Sequence, residues 1–118
     1  MINRFINCQE HRNYAITTIA VSKCIKDAFG DAAECFRMGG DEFLVAMTAE
    51  TELVQERLAM FDRLVSQWHG RYVDSITVSY GVATANEHPG LNFEELLKIA
   101  DSMMYHRKKQ QTESRYVL

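Results

Sequence analysis

The chain has no CxxC pair, and its cysteine count is odd: Cys8, Cys24 and Cys35. A disulfide framework needs even counts, so the three are expected to be reduced thiols. His11, His69, His88 and His106 do not stand at ligand spacing from the cysteines, which argues against zinc. Basic residues are not in excess either. Thirteen Lys and Arg against 16 Asp and Glu give a net charge of -3, which argues against a general nucleic-acid binder. One local cationic cluster, His106-Arg107-Lys108-Lys109, could still meet a phosphate. The opening stretch MINRFINCQEHRNY has no uninterrupted apolar run. Neither a signal peptide nor a membrane span is expected, and the cytoplasm is the expected location. Repeats, linkers and low-complexity tracts are absent, and 118 residues make one small domain.

What is present is ordinary for a globular chain: 47% hydrophobic and 25% charged residues. Between Asn13 and Phe29, the residues Ile16, Ile19, Ala20, Cys24 and Ala28 are expected on one helical face, and Gly30-Asp31 stops that helix. AECFRM and FLVAMT read as two short strands of a hairpin. Val54, Leu58, Phe61, Val65 and Trp68 alternate spacings of four and three, which makes one apolar helical stripe. SITVSYGVAT, residues 75–84, is rich in β-branched residues and reads as a buried strand. Pro89-Gly90 marks a loop. Asn92 followed by Glu95 forms a capping box that opens a last helix through Phe93, Leu96, Leu97, Ala100 and Met104. The expected order, α-β-β-α-β-α, predicts an α+β fold with helices on an antiparallel-rich sheet. Three strands are thin cover for three amphipathic helices.

At the tip of the hairpin, Gly39, Gly40, Asp41 and Glu42 interrupt the apolar run. A plain solvated turn would account for them. So would a ligand site: glycines allow close approach to the main chain, and consecutive N–H groups can cradle phosphate oxygens. The two carboxylates suit magnesium, which takes few protein carboxylates and relies on substrate phosphates. Adjacent residues of an extended chain point to opposite faces, so Asp41 and Glu42 are expected to act differently.

Residues 39–43 spell Gly-Gly-Asp-Glu-Phe, preceded by Arg37-Met38. Two further segments follow in order: VSYGVA, residues 78–83, and IADSMMYHRKK, residues 99–109. With these the chain resembles the GGDEF family of diguanylate cyclases, Ala100, Asp101, Met104, Tyr105 and Lys108 standing in register with a family helix. The resemblance implies a nucleotidyl-cyclase-like fold and the condensation of two GTP into cyclic di-GMP with release of pyrophosphate. It also implies a homodimer, in which each protomer holds one GTP and the two meet face to face. By the same resemblance Gly39 and Gly40 would lie against the phosphates. Asp41 and Glu42 would bind Mg2+ (or Mn2+) and serve base catalysis, Lys108 would neutralise the triphosphate, and Asn13 would stand at a guanine-contacting position. Family members commonly carry a sensory domain upstream.

The chain departs from the family pattern at several places. Residues 1–12 are expected to be an irregular N-terminal segment before a recognisable core at 13–110, so that the family's first helix and central strand, with its metal-binding Asp, are missing. Phe5-Ile6-Asn7 resembles a family Ile-Asn piece, but Asn7 stands too close to Asn13. No Arg stands three residues before Asp31, so the family's feedback site is not expected, and Thr112 stands where the family has a phosphate-binding Arg. A lost central strand would leave unpaired edges for a second copy to cover, with or without exchanged elements. Two functions therefore stay open: an active cyclase with its missing ligand supplied elsewhere, or a catalytically inactive module that binds GTP or a protein partner.

Overall fold

The computed structural model describes the backbone of residues 2–9, 14–39, 42–70 and 75–116, and the side chains of 19–38, 42–70, 75–107 and 109. In chain order the elements are β1 (Ile2–Gln9), α1 (Tyr14–Phe29), a 3-10 turn (Gly30–Ala32), β2 (Glu34–Gly39), β3 (Glu42–Met47), α2 (Thr51–Gln67), β4 (Thr77–Thr84) and α3 (Phe93–Tyr116). The strands form one sheet in the order β2-β3-β1-β4, with every neighbouring pair antiparallel. The α+β class and the six expected elements are present, with one strand more than expected.

That strand is the main correction. The segment expected to be irregular, and the sheet expected to lack its centre, are met together by β1, which lies between β3 and β4. Its register to β3 runs from Ile2↔Met47 to Asn7↔Glu42, and to β4 from Ile2↔Thr84 to Gln9↔Thr77. Asn3, Arg4, Asn7 and Gln9 blur any apolar alternation, so the segment's own side chains announce no strand. Two antiparallel neighbours do: each offers a ladder of N–H and C=O groups that an extended chain satisfies on both edges. With β1 in place, the open edges that called for exchanged elements are filled.

Strand alternation divides the core in two. Phe43, Val45 and Met47 of β3, with Val78, Tyr80 and Val82 of β4, pack with α1 and α2 on one face. Ala83 of β4 packs with Leu96, Ala100 and Met104 of α3 on the other. On α1 the buried set is Ala20, Val21, Cys24, Ile25, Ala28 and Phe29. Ile19, expected in that stripe, is 69% exposed; the buried stripe centres on the rows through Val21 and Ile25, and Ile19 falls to its side. The α2 stripe holds as expected, with Val54 and Phe61 buried and Leu58, Val65 and Trp68 half-buried against the same core. Phe61 lies 6.0 Å from the rings of both Phe29 and Tyr80.

The local stops are those the sequence marks. Gly30 adopts φ +47°, which ends α1. Arg57 of α2 donates from Nη1 to the carbonyl of Ala28 at 3.3 Å, satisfying one of the last carbonyls of α1. Asn92 and Glu95 form the reciprocal capping box, with Glu95 N–H donating to Asn92 Oδ1 at 2.9 Å and Asn92 N–H to Glu95 Oε1 at 3.3 Å. Phe93, expected inside the apolar stripe, is exposed. Cys24 and Cys35 are free thiols, the first buried and the second exposed. Among the described residues no helix is long and apolar enough to cross a membrane.

Where α3 crosses β4, the approach is very close. A Cβ placed on Gly81 would stand 2.8 Å from the carbonyl carbon of Ala100 and 2.9 Å from Cβ of Met103. The glycine in SYGVA is there because the helix backbone lies directly on it. This contact sets the height of α3 over the sheet, and α3 carries one wall of the cleft described next.

Candidate functional site

The hairpin of β2 and β3 ends with Gly39 paired to Glu42, after a register shift between Arg37 and Gly39. Such an irregularity re-aims side chains at a strand end, and Met38 beside it is 52% exposed. Of the residues singled out in the sequence, Asn13, Gly40 and Asp41 lie outside the described residues, as does the side chain of Lys108. Asn7 and Thr112 are described by backbone alone.

Glu42 opens β3 and is half-buried. Because Phe43, Val45 and Met47 face α1 and α2, alternation turns Glu42 toward the α3 face. There it borders an open cleft of about 610 Å3, shared with Met38 of β2 and with Leu97, Asp101, Met104 and Tyr105 of α3. Leu97, Asp101 and Tyr105 recur every fourth residue and so share one side of the helix. Lys108 follows Asp101 by seven residues, close to two full turns.

Asp101 is in an unusual position for a carboxylate. Its Oδ1 is sealed from solvent and finds no hydrogen-bond donor among the described residues. Burial pushes its carboxyl above the usual range, and the charge of Glu42 pushes it the same way. Two carboxylates turned into one cleft make a site that favours a positive charge between them.

The described residues contain no group of three or more His, Cys, Asp or Glu able to hold a metal ion. Glu42 and Asp101 are a two-carboxylate set, with Asp41 of the same turn outside the described residues. Magnesium is ordinarily held by one or two carboxylates, its remaining positions taken by water and substrate phosphates. The donors present, and the unpartnered Oδ1 in particular, fit that ion.

The family model described as "Diguanylate cyclase, GGDEF domain" matches residues 17–114. The chain belongs to the GGDEF family. Diguanylate cyclase DosC of Escherichia coli is 30% identical over 96 residues, a match that covers 75% of this chain and 20% of that protein. Diguanylate cyclase DgcN of the same organism is 28% identical over 100 residues, covering 80% of this chain and 24% of that protein. The chain thus spans about a fifth to a quarter of the length of these curated relatives. Among solved structures, the GGDEF domain of DgcB from Caulobacter crescentus, crystallised in complex with c-di-GMP, superposes with a TM-score of 0.73 at 20% identity, covering 92% of this chain and 72% of that one. The FimX GGDEF domain from Pseudomonas aeruginosa superposes with a TM-score of 0.70 at 16% identity, covering 92% and 75%. At those identities the superpositions show the GGDEF fold.

A second cleft of about 530 Å3 opens on the other side of the GGDEF hairpin, between α1 and β2, and is lined in part by Ile19, Ser22, Lys26, Phe36 and Arg37. Sequence reasoning did not find it, since its walls come from two elements whose approach no local pattern encodes. Asp101 was missed as a site residue although it stands in the matched Ala-Asp-x-x-Met-Tyr segment. Its spacing to Tyr105 and Lys108 on one helix side was the available signal.

Proposed function

We propose that this GGDEF domain binds GTP with a divalent cation at its hairpin tip and, as a homodimer, condenses two GTP into cyclic di-GMP. Each 3′-hydroxyl attacks the α-phosphate of the GTP held by the other protomer; two P–O bonds form, two break, and two pyrophosphates leave. The observation that supports this most directly is the placement of Glu42 at the mouth of the α3 cleft, facing the helix that bears Asp101 and, two turns on, Lys108.

In this reading Gly39 and Gly40 present main-chain N–H groups to the phosphates, and the absence of Cβ atoms lets the nucleotide come close. Asp41 and Glu42 divide two tasks, holding the cation and accepting the proton of the attacking hydroxyl; positioned proton transfer of this kind contributes about 10^2- to 10^4-fold. When bound, Mg2+ (or Mn2+) would polarise the phosphate under attack and offset charge on the leaving pyrophosphate. Lys108 supplies a compact cation to the triphosphate, and Asn13 contacts the guanine. The domain as a whole, with β1 at the centre of its sheet, is the functional unit, acting in the cytoplasm where GTP and magnesium are at hand. In a longer parent chain, an upstream sensory domain would govern how often two copies meet.

The test is incubation of the chain with GTP and Mg2+ at high protein concentration, resolved by chromatography, beside the Asp41→Ala, Glu42→Ala double variant. Cyclic di-GMP from the parent alone is the expected result. A folded parent that makes none refutes the catalytic reading. One observation favours a second reading, a catalytically inactive module that binds GTP or a protein partner: β1 occupies the central place in the sheet, yet Ile2–Gln9 contains no Asp or Glu. GTP binding without product in the same samples would decide for it.

A further inference from the structure

We propose that Asp101 of α3 is a ligand of the divalent cation, forming with Glu42 a carboxylate pair that spans the cleft from helix to hairpin. The inference deepens the proposed function and rests on its assignment of a cation to this cleft.

Three observations on Asp101 carry it. Its Oδ1 is buried and has no donor among the described residues. A carboxylate oxygen removed from water without a partner is costly, and proteins rarely keep one unless something binds there. Next, Asp101 lines the same cleft as Glu42. Two like charges held together with nothing between them oppose folding, whereas a cation between them reverses the sign of the interaction. Lastly, the position of Asp101 is held by backbone: its neighbour Ala100 rests on Gly81 with no room for a Cβ, so the carboxylate is presented at a set height above the sheet. A rigid element is the better support for a coordinating group. The alternative donor, a carboxylate from the central strand, is not available in Ile2–Gln9. Helix and hairpin together would then furnish the two sides that an ion bridging a triphosphate requires.

The experiment titrates Mn2+ alone into the full chain, following the electron paramagnetic resonance signal of free Mn2+, for the parent and for Glu42→Gln, Asp101→Asn and Asp101→Ala. Thermal denaturation of each confirms the fold. Asp101→Asn and Asp101→Ala are each expected to bind Mn2+ about tenfold more weakly or worse, since loss of a mere supporting group commonly costs 10- to 100-fold. Glu42→Gln is expected to fall by a comparable factor. Two folded Asp101 variants with the parent's affinity, beside a weakened Glu42→Gln, would overturn the role of Asp101 and leave the proposed site standing. Unchanged affinity in all three variants, or a parent that binds no Mn2+, would overturn the cation site together with the inference. A wild-type measurement guards against poorly folded variants: Mg2+ should raise the parent's Tm in proportion to the logarithm of its concentration once the site saturates, and a parent Tm indifferent to Mg2+ would overturn the proposal.

Discussion

Replacing Gly81 with alanine puts the packing of α3 to a direct test. The new Cβ would lie 2.8 Å from the Ala100 carbonyl carbon and 2.9 Å from Met103 Cβ, where carbon atoms ordinarily approach to about 3.5–4.0 Å. Neither neighbour is the loose end of a side chain, so relief must come from moving a backbone. On the other side, Gly81 stands opposite Phe5 within the β1–β4 ladder, and yielding there would break sheet hydrogen bonds. The helix is the element that gives, lifting by roughly 1 Å to restore contact distance. Overpacking of this kind costs about 1–3 kcal/mol, which for a domain of this size lowers Tm by roughly 4–12 °C. Because Asp101 follows Ala100, the same lift draws it from Glu42, so Mn2+ affinity should fall although neither carboxylate has changed. Circular dichroism melts and the Mn2+ titration read the two effects. Gly90→Ala is the contrast: its φ of +86° is strained for alanine, but nothing lies within 4 Å of the added carbon. It should lose stability through backbone strain, about 1–2 kcal/mol, and keep its Mn2+ affinity. A Gly81→Ala protein with the parent's Tm would refute the close-contact argument.

Phe61 is buried and touches the rings of Phe29 and Tyr80, so Phe61→Ala should cost about 3–5 kcal/mol, read as a lower urea midpoint. Asn92→Ala removes one half of the capping box of α3 and should cost about 1 kcal/mol, visible in the same titration. The raised carboxyl of Asp101 has a definite pH signature. In the folded chain it holds its proton to a higher pH than when unfolded, its ordinary value being 3.8, so between the two values the folded state binds more protons. Stability therefore falls as pH rises through that window. In metal-free buffer Asp101→Asn should be the more stable protein above the window, with the advantage shrinking as pH drops through it; an advantage independent of pH would refute the burial argument.

Much of the architecture was legible because its signals are local. The β2–β3 hairpin, the Val54-to-Trp68 stripe and the Asn92–Glu95 box each depend on residues within a turn or two of one another, and each appears as expected. What was not legible depends on partners far away in sequence. The Ile2–Gln9 segment shows little strand pattern of its own, and it is the waiting edges of β3 and β4 that make it the centre of the sheet. Ile19 has the right residue type for the core but the wrong angle once α1 settles on α2 and the sheet.

The candidate site divides along the same line. Residue chemistry alone leaves Gly39 to Phe43 as either a plain solvated turn or a turn suited to phosphate and a cation, because glycine's missing Cβ and the affinity of carboxylates for hard cations are properties of the residues themselves; the resemblance of the motif favours the second. That Asp101 shares a cleft with Glu42 could not be read this way. The two are separated by half the length of the chain, and they meet because β3 alternation turns Glu42 to one face while Gly81 lets α3 settle on that same face. Sequence determines which groups have the chemistry, since that is covalent; only the tertiary structure decides which of them stand together, since burial and backbone contact bring distant residues into one cleft.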